Sequence, residues 1–565
     1  MKVSRRWAAL VPATVLSLAL AGCGSSTDNG GGSGPKTVPK TSQNDINATA
    51  RDQLKDGGTF TWTLTQIPTN YNLNELDGAL KDGADVMSAL LPTAFYTDAA
   101  GTPYVNKDLL DDATLTSTDP TQVVTYKINQ KAMWSDGTKI TAADFIAQWK
   151  ALNGTNAAYK VASSNGYDQM ATVAQGTDDH QVVVTFKNKY ADWKSLYSPV
   201  YPASTDNDPK VFNDGWTAKP LISAGPFKLD SIDKTAKTIT LVRDDSWWGN
   251  KAKLDKIVFR AIDADAQVDA LANGEVDEMD IGPNVDNYTR AKGIQGVTLR
   301  NAGGPNFRHI TFNGKSAVLQ DVNVRQALAM GIDRGRIAAA LLGPLNVPAV
   351  PLNNHIFMTN QTGYQDNSGD VGKYNPDKAK QMLDAAGWTL PAGGTYRQKA
   401  GKELDIKFVI PSQVSASEKE SKQVQAMLKD IGVKVNINTV PSDDFFDKYV
   451  TPGNFDFTVF SWIGTAFPIS SSKSIYANPK GENIQQNFAR VGSPEIDTLF
   501  DQATAELDEN KARGLANQVD ALIWKEVHSV TTYQRPDIKA VKSNVGNFGA
   551  VGFASVIYED IGLKA

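Results

Sequence analysis

Four histidines, His180, His309, His355 and His528, are the side chains of this 565-residue chain best suited to proton transfer near neutral pH. None has a second histidine or a cysteine at metal-ligand spacing, and neither H-E-x-x-H nor G-x-S-x-G occurs. They read as structural or surface residues. Gly314-Lys315-Ser316 has the ending of a phosphate-binding loop, but the glycine required five positions earlier is His309. With 62 Asp and Glu residues, some acid pair across a cleft is guaranteed by chance, so carboxylates alone do not define a glycosidase. The expectation is a chain with no catalytic residue, no cofactor and no metal. An extracellular glycan hydrolase is the remote alternative.

Charge and length point the same way. Lys plus Arg is 57 against 62 acidic residues, a net charge of −5, which offers a nucleic-acid backbone nothing. The length calls for at least two lobes. The single cysteine, Cys23, follows a basic start (Lys2, Arg5, Arg6) and the apolar run Trp7–Ala21, the layout of a signal peptide over residues 1–22. Leu20-Ala21-Gly22-Cys23 closely resembles the bacterial lipobox, which implies acylation of Cys23 and anchoring at the extracytoplasmic face of the cell membrane. Ser4-Arg5-Arg6-Trp7 leaves a twin-arginine export route open beside the general one. Cleavage would take the net charge from −5 to −8 by removing three cations. Residues 23–54, rich in Gly, Ser, Thr, Asn and Lys, read as a flexible linker.

Folded structure is expected from Gly57-Gly58-Thr59, where Phe60, Trp62 and Leu64 alternate with threonines as in a half-buried strand. Leu404–Ile410, then Val424, Met427, Leu428 and Ile431 at helical spacing, then Val433, Val435 and Ile437 predict a parallel β-α-β unit. A second such unit is expected over Ile257–Ile262, Val268–Ala272 and Val276–Ile281. Thr141 with Asp144 predicts a capping box, and Asn375-Pro376 a helix start. Residues 343–372 read as a long loop. The fold class is therefore α/β.

Trp134-Ser135-Asp136-Gly137-Thr138-Lys139-Ile140-Thr141-Ala142-Ala143-Asp144 is one of a series of blocks spread in order along the chain. Others are Gly225-Pro226-Phe227, Trp247-Trp248-Gly249, Gly274-Glu275-Val276-Asp277 and Asp321-Val322-Asn323-Val324-Arg325-Gln326-Ala327-Leu328. Together they resemble the family 5 extracellular solute-binding proteins, among them oligopeptide, dipeptide and nickel binders. The resemblance implies a two-lobed periplasmic-binding-protein-like fold: lobe I at 55–76, 210–310 and 530–565, an inserted subdomain at 77–209, and lobe II at 311–529. The hinge would pass near Thr311–Asn313 and Thr531–Gln534. It also implies a monomeric receptor that hands a solute, a peptide in the first instance, to the permease of an ABC importer. An oligosaccharide or metal chelate is the alternative solute.

Sites in α/β proteins gather in loops leaving the carboxyl ends of strands. In lobe II the strand after Phe455 runs into Ser461-Trp462-Ile463-Gly464-Thr465-Ala466-Phe467, of which Ser461, Trp462, Gly464, Thr465 and Phe467 are the candidate contacts. Trp462 is expected to offer a flat apolar face and Gly464 a close backbone approach to ligand. In lobe I the candidates are Asp280 and Ile281, with Tyr71, Asn72 and Leu73 after the first strand. The resemblance implies an aspartate, common in peptide-binding relatives, three residues after this tryptophan, where Thr465 stands here; either Asp280 is the partner for a peptide ammonium or the natural ligand lacks that charge.

Overall fold

The computed structural model describes residues 43–481 and 484–564. The signal-peptide and lipobox readings, Cys23 included, lie outside the described residues. The described body is built on three principal sheets. In the first, Thr59–Leu64 pairs in parallel with Lys256–Ala261, placing Phe60 beside Ile257 and Trp62 beside Phe259, and antiparallel strands Thr238–Arg243 and Phe227–Asp233 follow. The nearly 200 residues between its first two partners hold the second sheet, four antiparallel strands in the order Leu110–Ser117, Val123–Ile128, Gln181–Phe186, Met170–Gln175. Helix Ala142–Leu152 packs on it through Phe145, its start fixed by the reciprocal Thr141–Asp144 capping box. Trp134 is buried, and the Asp136 carboxylate accepts from the Thr138 amide and hydroxyl, which makes both architectural. At Gly225 a Cβ would stand 2.7 Å from the Ala89 carbonyl oxygen, so only glycine fits that approach.

The third sheet carries the two strands to which the sequence reading assigns the hinge. Its order is Glu278–Asp280, Ser529–Lys542, Val297–Phe312, Phe457–Trp462, Asp405–Pro411, Lys434–Val440. Val297–Phe312 and Ser529–Lys542 pair antiparallel from Val297 and Lys542 to Thr311 and Ser529, and the ladder breaks between Gly303 and Phe307. This break lies opposite Gln534–Pro536, and beyond it Phe307–Phe312 also pairs with Phe457–Trp462. The ladder is interrupted there because a Gly-Gly-Pro sequence cannot sustain it.

The 404–440 unit forms as expected: Asp405–Pro411 runs parallel to Lys434–Val440, Phe408 beside Ile437, with helix Ser415–Asp430 between them. The 257–281 unit does not. Lys256–Ala261 belongs to the first sheet, whereas Glu278–Asp280 joins the hinge sheet antiparallel to Ser529–Lys542. Hydrophobic spacing fixes a strand's faces and leaves its partner open.

The linker reading also changes. Asp45 and Ala550 exchange backbone hydrogen bonds, Lys55 donates to Leu563, Leu54 is buried, and Arg51 pairs with Asp560. Residues 45–54 are thus docked on the C-terminal segment through backbone and polar side chains, a mode invisible to a search for apolar residues. Residues 343–372 contain one short 3-10 turn, Gly343–Leu345, yet bury Leu352, Ile356, Phe357 and Met358. Among the described residues no helix is long and apolar enough to cross a membrane.

Candidate functional site

The lobe II loop leaves strand Phe457–Trp462 and enters helix Pro468–Tyr476. Trp462 is half-buried and packed among rings of the protein itself. His309 stacks on it at 5.6 Å and 13°, Phe488 at 5.7 Å and 4°, and its buried indole N–H finds no hydrogen-bond partner among the described residues. The exposed apolar group is its neighbour Ile463, 55% exposed, which sequence reading passed over. Gly464 is required by the protein itself: its N–H donates to Asn306 Oδ1 at 3.2 Å, and a Cβ would meet the Pro305 carbonyl oxygen at 2.3 Å. The close approach is thus to the hinge break. Thr465 Oγ accepts from the Phe467 N–H at 3.0 Å and lies 3.2 Å from Ser471 Oγ, so its hydroxyl shapes the entry to the helix. Phe467 is half-buried.

Ser461 lies 3.5 Å from Arg308, whose guanidinium is locked to Glu420 and Ser417 in a buried cluster. Burial would lower the Arg308 pKa, and the Glu420 carboxylate outweighs it and raises it.

On the lobe I side Asp280 already has a partner. Its Oδ1 is 3.0 Å from Arg535 Nη2. Burial would raise its carboxyl, but Arg535, Lys539 and Lys81 together hold it well below the usual carboxylate range. It is therefore not a lone carboxylate awaiting a ligand ammonium. Lys81, which burial would lower, is raised by Asp85 and Asp280. This charge cluster, drawn from three segments, was not legible in sequence, where Lys81, Asp280, Arg535 and Lys539 look like unrelated surface charges. Ile281 is core, its N–H bonded to the Ile538 carbonyl.

Tyr71, Asn72 and Leu73 form a buried knot and not an open turn. Tyr71 N–H donates to Trp216, Asn72 Nδ2 to Phe212, and the Leu73 N–H to the Tyr201 hydroxyl, which itself donates to the Tyr71 carbonyl. Burial pushes the Tyr71 phenol up to about 12, and its hydroxyl has no partner among the described residues.

The hinge strand relates the two sides. Lys539, opposite Asp280, faces Arg300, while Trp462 faces Phe307 on the same strand. Seven residues of strand correspond to about 20 Å, so the charge cluster and the lobe II loop stand at separate stations along one ladder. The loop also approaches the turn at Gly101, where an added Cβ would lie 3.6 Å from Ala466 and 3.5 Å from Phe553.

Three of the four histidines, dispersed in sequence, are buried in this part of the molecule. His355 Nδ1 lies 2.7 Å from Asp520 Oδ1, His528 Nε2 3.0 Å from Asn487 Oδ1, and His309 Nε2 2.8 Å from Thr311 Oγ1. The fourth, His180, stands 2.7 Å from Asp179 on an exposed turn with Asp178, three consecutive residues that a search for paired histidines and cysteines passes over. Burial pushes His309 well below its ordinary range and His528 down to about 3. The unfolded chain takes up a proton near pH 6.5 and the folded chain does not until far lower. Stability from each is therefore complete above about pH 6.5 and falls by up to about 1.4 kcal/mol per pH unit below it. A His528→Gln variant is expected to lose stability at pH 7.5 yet fall less steeply between pH 6.5 and 4. Calorimetric unfolding at several pH values checks this, and parallel slopes would remove His528 from the account.

Residues 106–483 match the model of the bacterial extracellular solute-binding proteins, family 5 middle region. The chain is 40% identical to the oligopeptide-binding protein OppA of Mycobacterium tuberculosis (strain H37Rv), over 99% of this chain and 94% of that one. Its fold superposes on the periplasmic EDTA-binding protein EppA with a TM-score of 0.82 at 27% identity, covering 92% of this chain and 98% of that one. The oligopeptide-binding protein AppA from Bacillus subtilis, solved with a nonapeptide, gives 0.77 at 20% identity, with 90% and 99% covered. The chain belongs to family 5 of the bacterial extracellular solute-binding proteins.

Proposed function

We propose that this protein is the extracytoplasmic receptor of an ABC importer, that it captures oligopeptides between its lobes, and that it delivers them to the permease. The observation that carries the reading is the near full-length match to an oligopeptide-binding protein, on a body whose two lobes are joined by the continuous strands Val297–Phe312 and Ser529–Lys542. Such a joint supports hinge closure, in which the solute stabilises one arrangement by its differential affinity. Because Thr465 and Asp280 are both engaged within the protein, recognition of the peptide falls to backbone pairing along the 461–467 loop and to apolar contacts such as Ile463. Native mass spectrometry of the protein as purified tests the reading: co-purified peptides support it. A bound metal chelate would instead favour the second reading, which the structural likeness to an EDTA-binding protein motivates.

The receptor is further proposed to act as a monomer tethered through a lipid on Cys23. Cys23→Ser is expected to move it from the membrane to the soluble fraction with its melting temperature unchanged. Retention at the membrane, read by fractionation, would exclude this anchor.

A further inference from the structure

Helix Pro468–Tyr476, which continues the lobe II loop, has no cap within its own segment. Its N-cap residue is Phe467, which has no side-chain oxygen, and Pro468 removes only one of the orphan N–H groups of the first turn. The Thr465 hydroxyl is spent one step earlier, on the Phe467 N–H. The Ser470 N–H finds its acceptor 278 residues away, at 3.3 Å on Asp192 Oδ2 in the inserted subdomain. Asp192 is itself held firmly: its carbonyl accepts from the Ser195 amide and hydroxyl, and the ring of the adjoining Trp193 is buried against Phe95 at 5.5 Å. Two further hydrogen bonds cross the same seam. Asn165 Nδ2 donates to the Ser470 carbonyl at 3.0 Å, so Ser470 is gripped at both its backbone groups, and the Ala191 N–H donates at 2.7 Å to the carbonyl of Thr504 in helix Pro494–Ala505.

We infer that Asp192 is a positioning residue for solute capture, capping in trans the helix that carries the 461–467 loop, so that the loop keeps its binding geometry only while the inserted subdomain and lobe II are together. The inference rests on the receptor reading above. A capping carboxylate supplied by the same segment would hold the loop in every arrangement of the lobes; one supplied from the far side makes loop order conditional on closure. The acceptor oxygen carries the effect, so asparagine, an equally good cap, replaces aspartate with little loss, and alanine does not.

The test is release of a fluorescein-labelled nonapeptide by stopped flow from the parent, Asp192→Ala and Asp192→Asn. Alanine is expected to speed release about tenfold with association changed less than threefold, and asparagine to restore release to near the parent rate. Unchanged release in Asp192→Ala, or equal damage in Asp192→Asn, overturns the inference. A second readout needs no solute. With spin labels at Thr118→Cys and Lys429→Cys, both exposed positions, in a Cys23→Ser background, Asp192→Ala should lengthen the interlabel distance and Asp192→Asn should not. If the parent binds no nonapeptide, the peptide reading fails while this distance still decides the role of Asp192; identical distances in parent and Asp192→Ala overturn it.

Discussion

Glu420→Ala is expected to lower the unfolding free energy by about 3–5 kcal/mol, the usual cost of stranding one member of a buried ion pair. Arg308 and Glu420 have side-chain exposures of 5% and 0%, one on the hinge strand and the other on helix Ser415–Asp430. Without the carboxylate the guanidinium keeps neutral neighbours such as the Ser417 and Ser461 hydroxyls. At roughly 2–4 °C per kcal/mol the melting temperature should fall by about 6–20 °C. Calorimetry on the solute-free protein measures it, and a loss under about 1 kcal/mol would mean that water reaches the pair. Replacing both partners, Arg308→Met with Glu420→Leu, should recover most of the loss, because the charge then leaves no partner behind.

Gly464→Ala is expected to weaken solute binding at least tenfold. Its Cβ would need to sit 2.3 Å from the Pro305 carbonyl oxygen, so the loop or the hinge break must give way. Overpacking of this kind costs about 1–3 kcal/mol, shared between stability and the loop's binding geometry. Gly514→Ala is the matched control: it lies in helix Glu509–Glu526 with open space around its added methyl, and should stabilise by about 0.5–1 kcal/mol. Titration calorimetry with a nonapeptide compares the two, and equal affinities in both would dissociate Gly464 from binding.

Where sequence and structure agree, the information was local. The Thr141–Asp144 box, the helix between residues 404 and 440 and the turn at Asp136 each depend on residues a few positions apart. Where they differ, the decisive partner is remote. Nothing near Trp462 in sequence reveals that His309 and Phe488 stack against it. Asp280 looks like an unattached carboxylate until Arg535 is brought 255 residues to meet it. The strand ending at Asp280 shows the same limit at the level of topology, since its apolar pattern suits either sheet. Residues 45–54 differ for another reason: they are held by amide and carboxylate contacts such as Asn547 Oδ1 to the Thr49 N–H, and polar composition alone reads as linker.

The aromatic centre of the first core is closed by the end of the chain. Phe60 and Trp62 pack on Phe548 with ring centroids 4.9 and 4.6 Å apart, and Tyr558 stacks on Trp62 at 5.8 Å. Val541, Val545 and Ile561 belong to the same cluster. A polypeptide delivered amino end first can therefore assemble the 404–440 unit as soon as that stretch emerges, whereas the opening strand Thr59–Leu64 must wait for nearly five hundred further residues before its inner face is covered. Contacts of such sequence separation form slowly, and the uncovered Phe60, Trp62 and Leu64 edge stays open to pairing with other chains meanwhile. Residues 541–561 thus set the moment at which a newly delivered molecule stops being vulnerable, and their removal should leave the Phe60–Leu64 core unable to close while the 404–440 unit still folds.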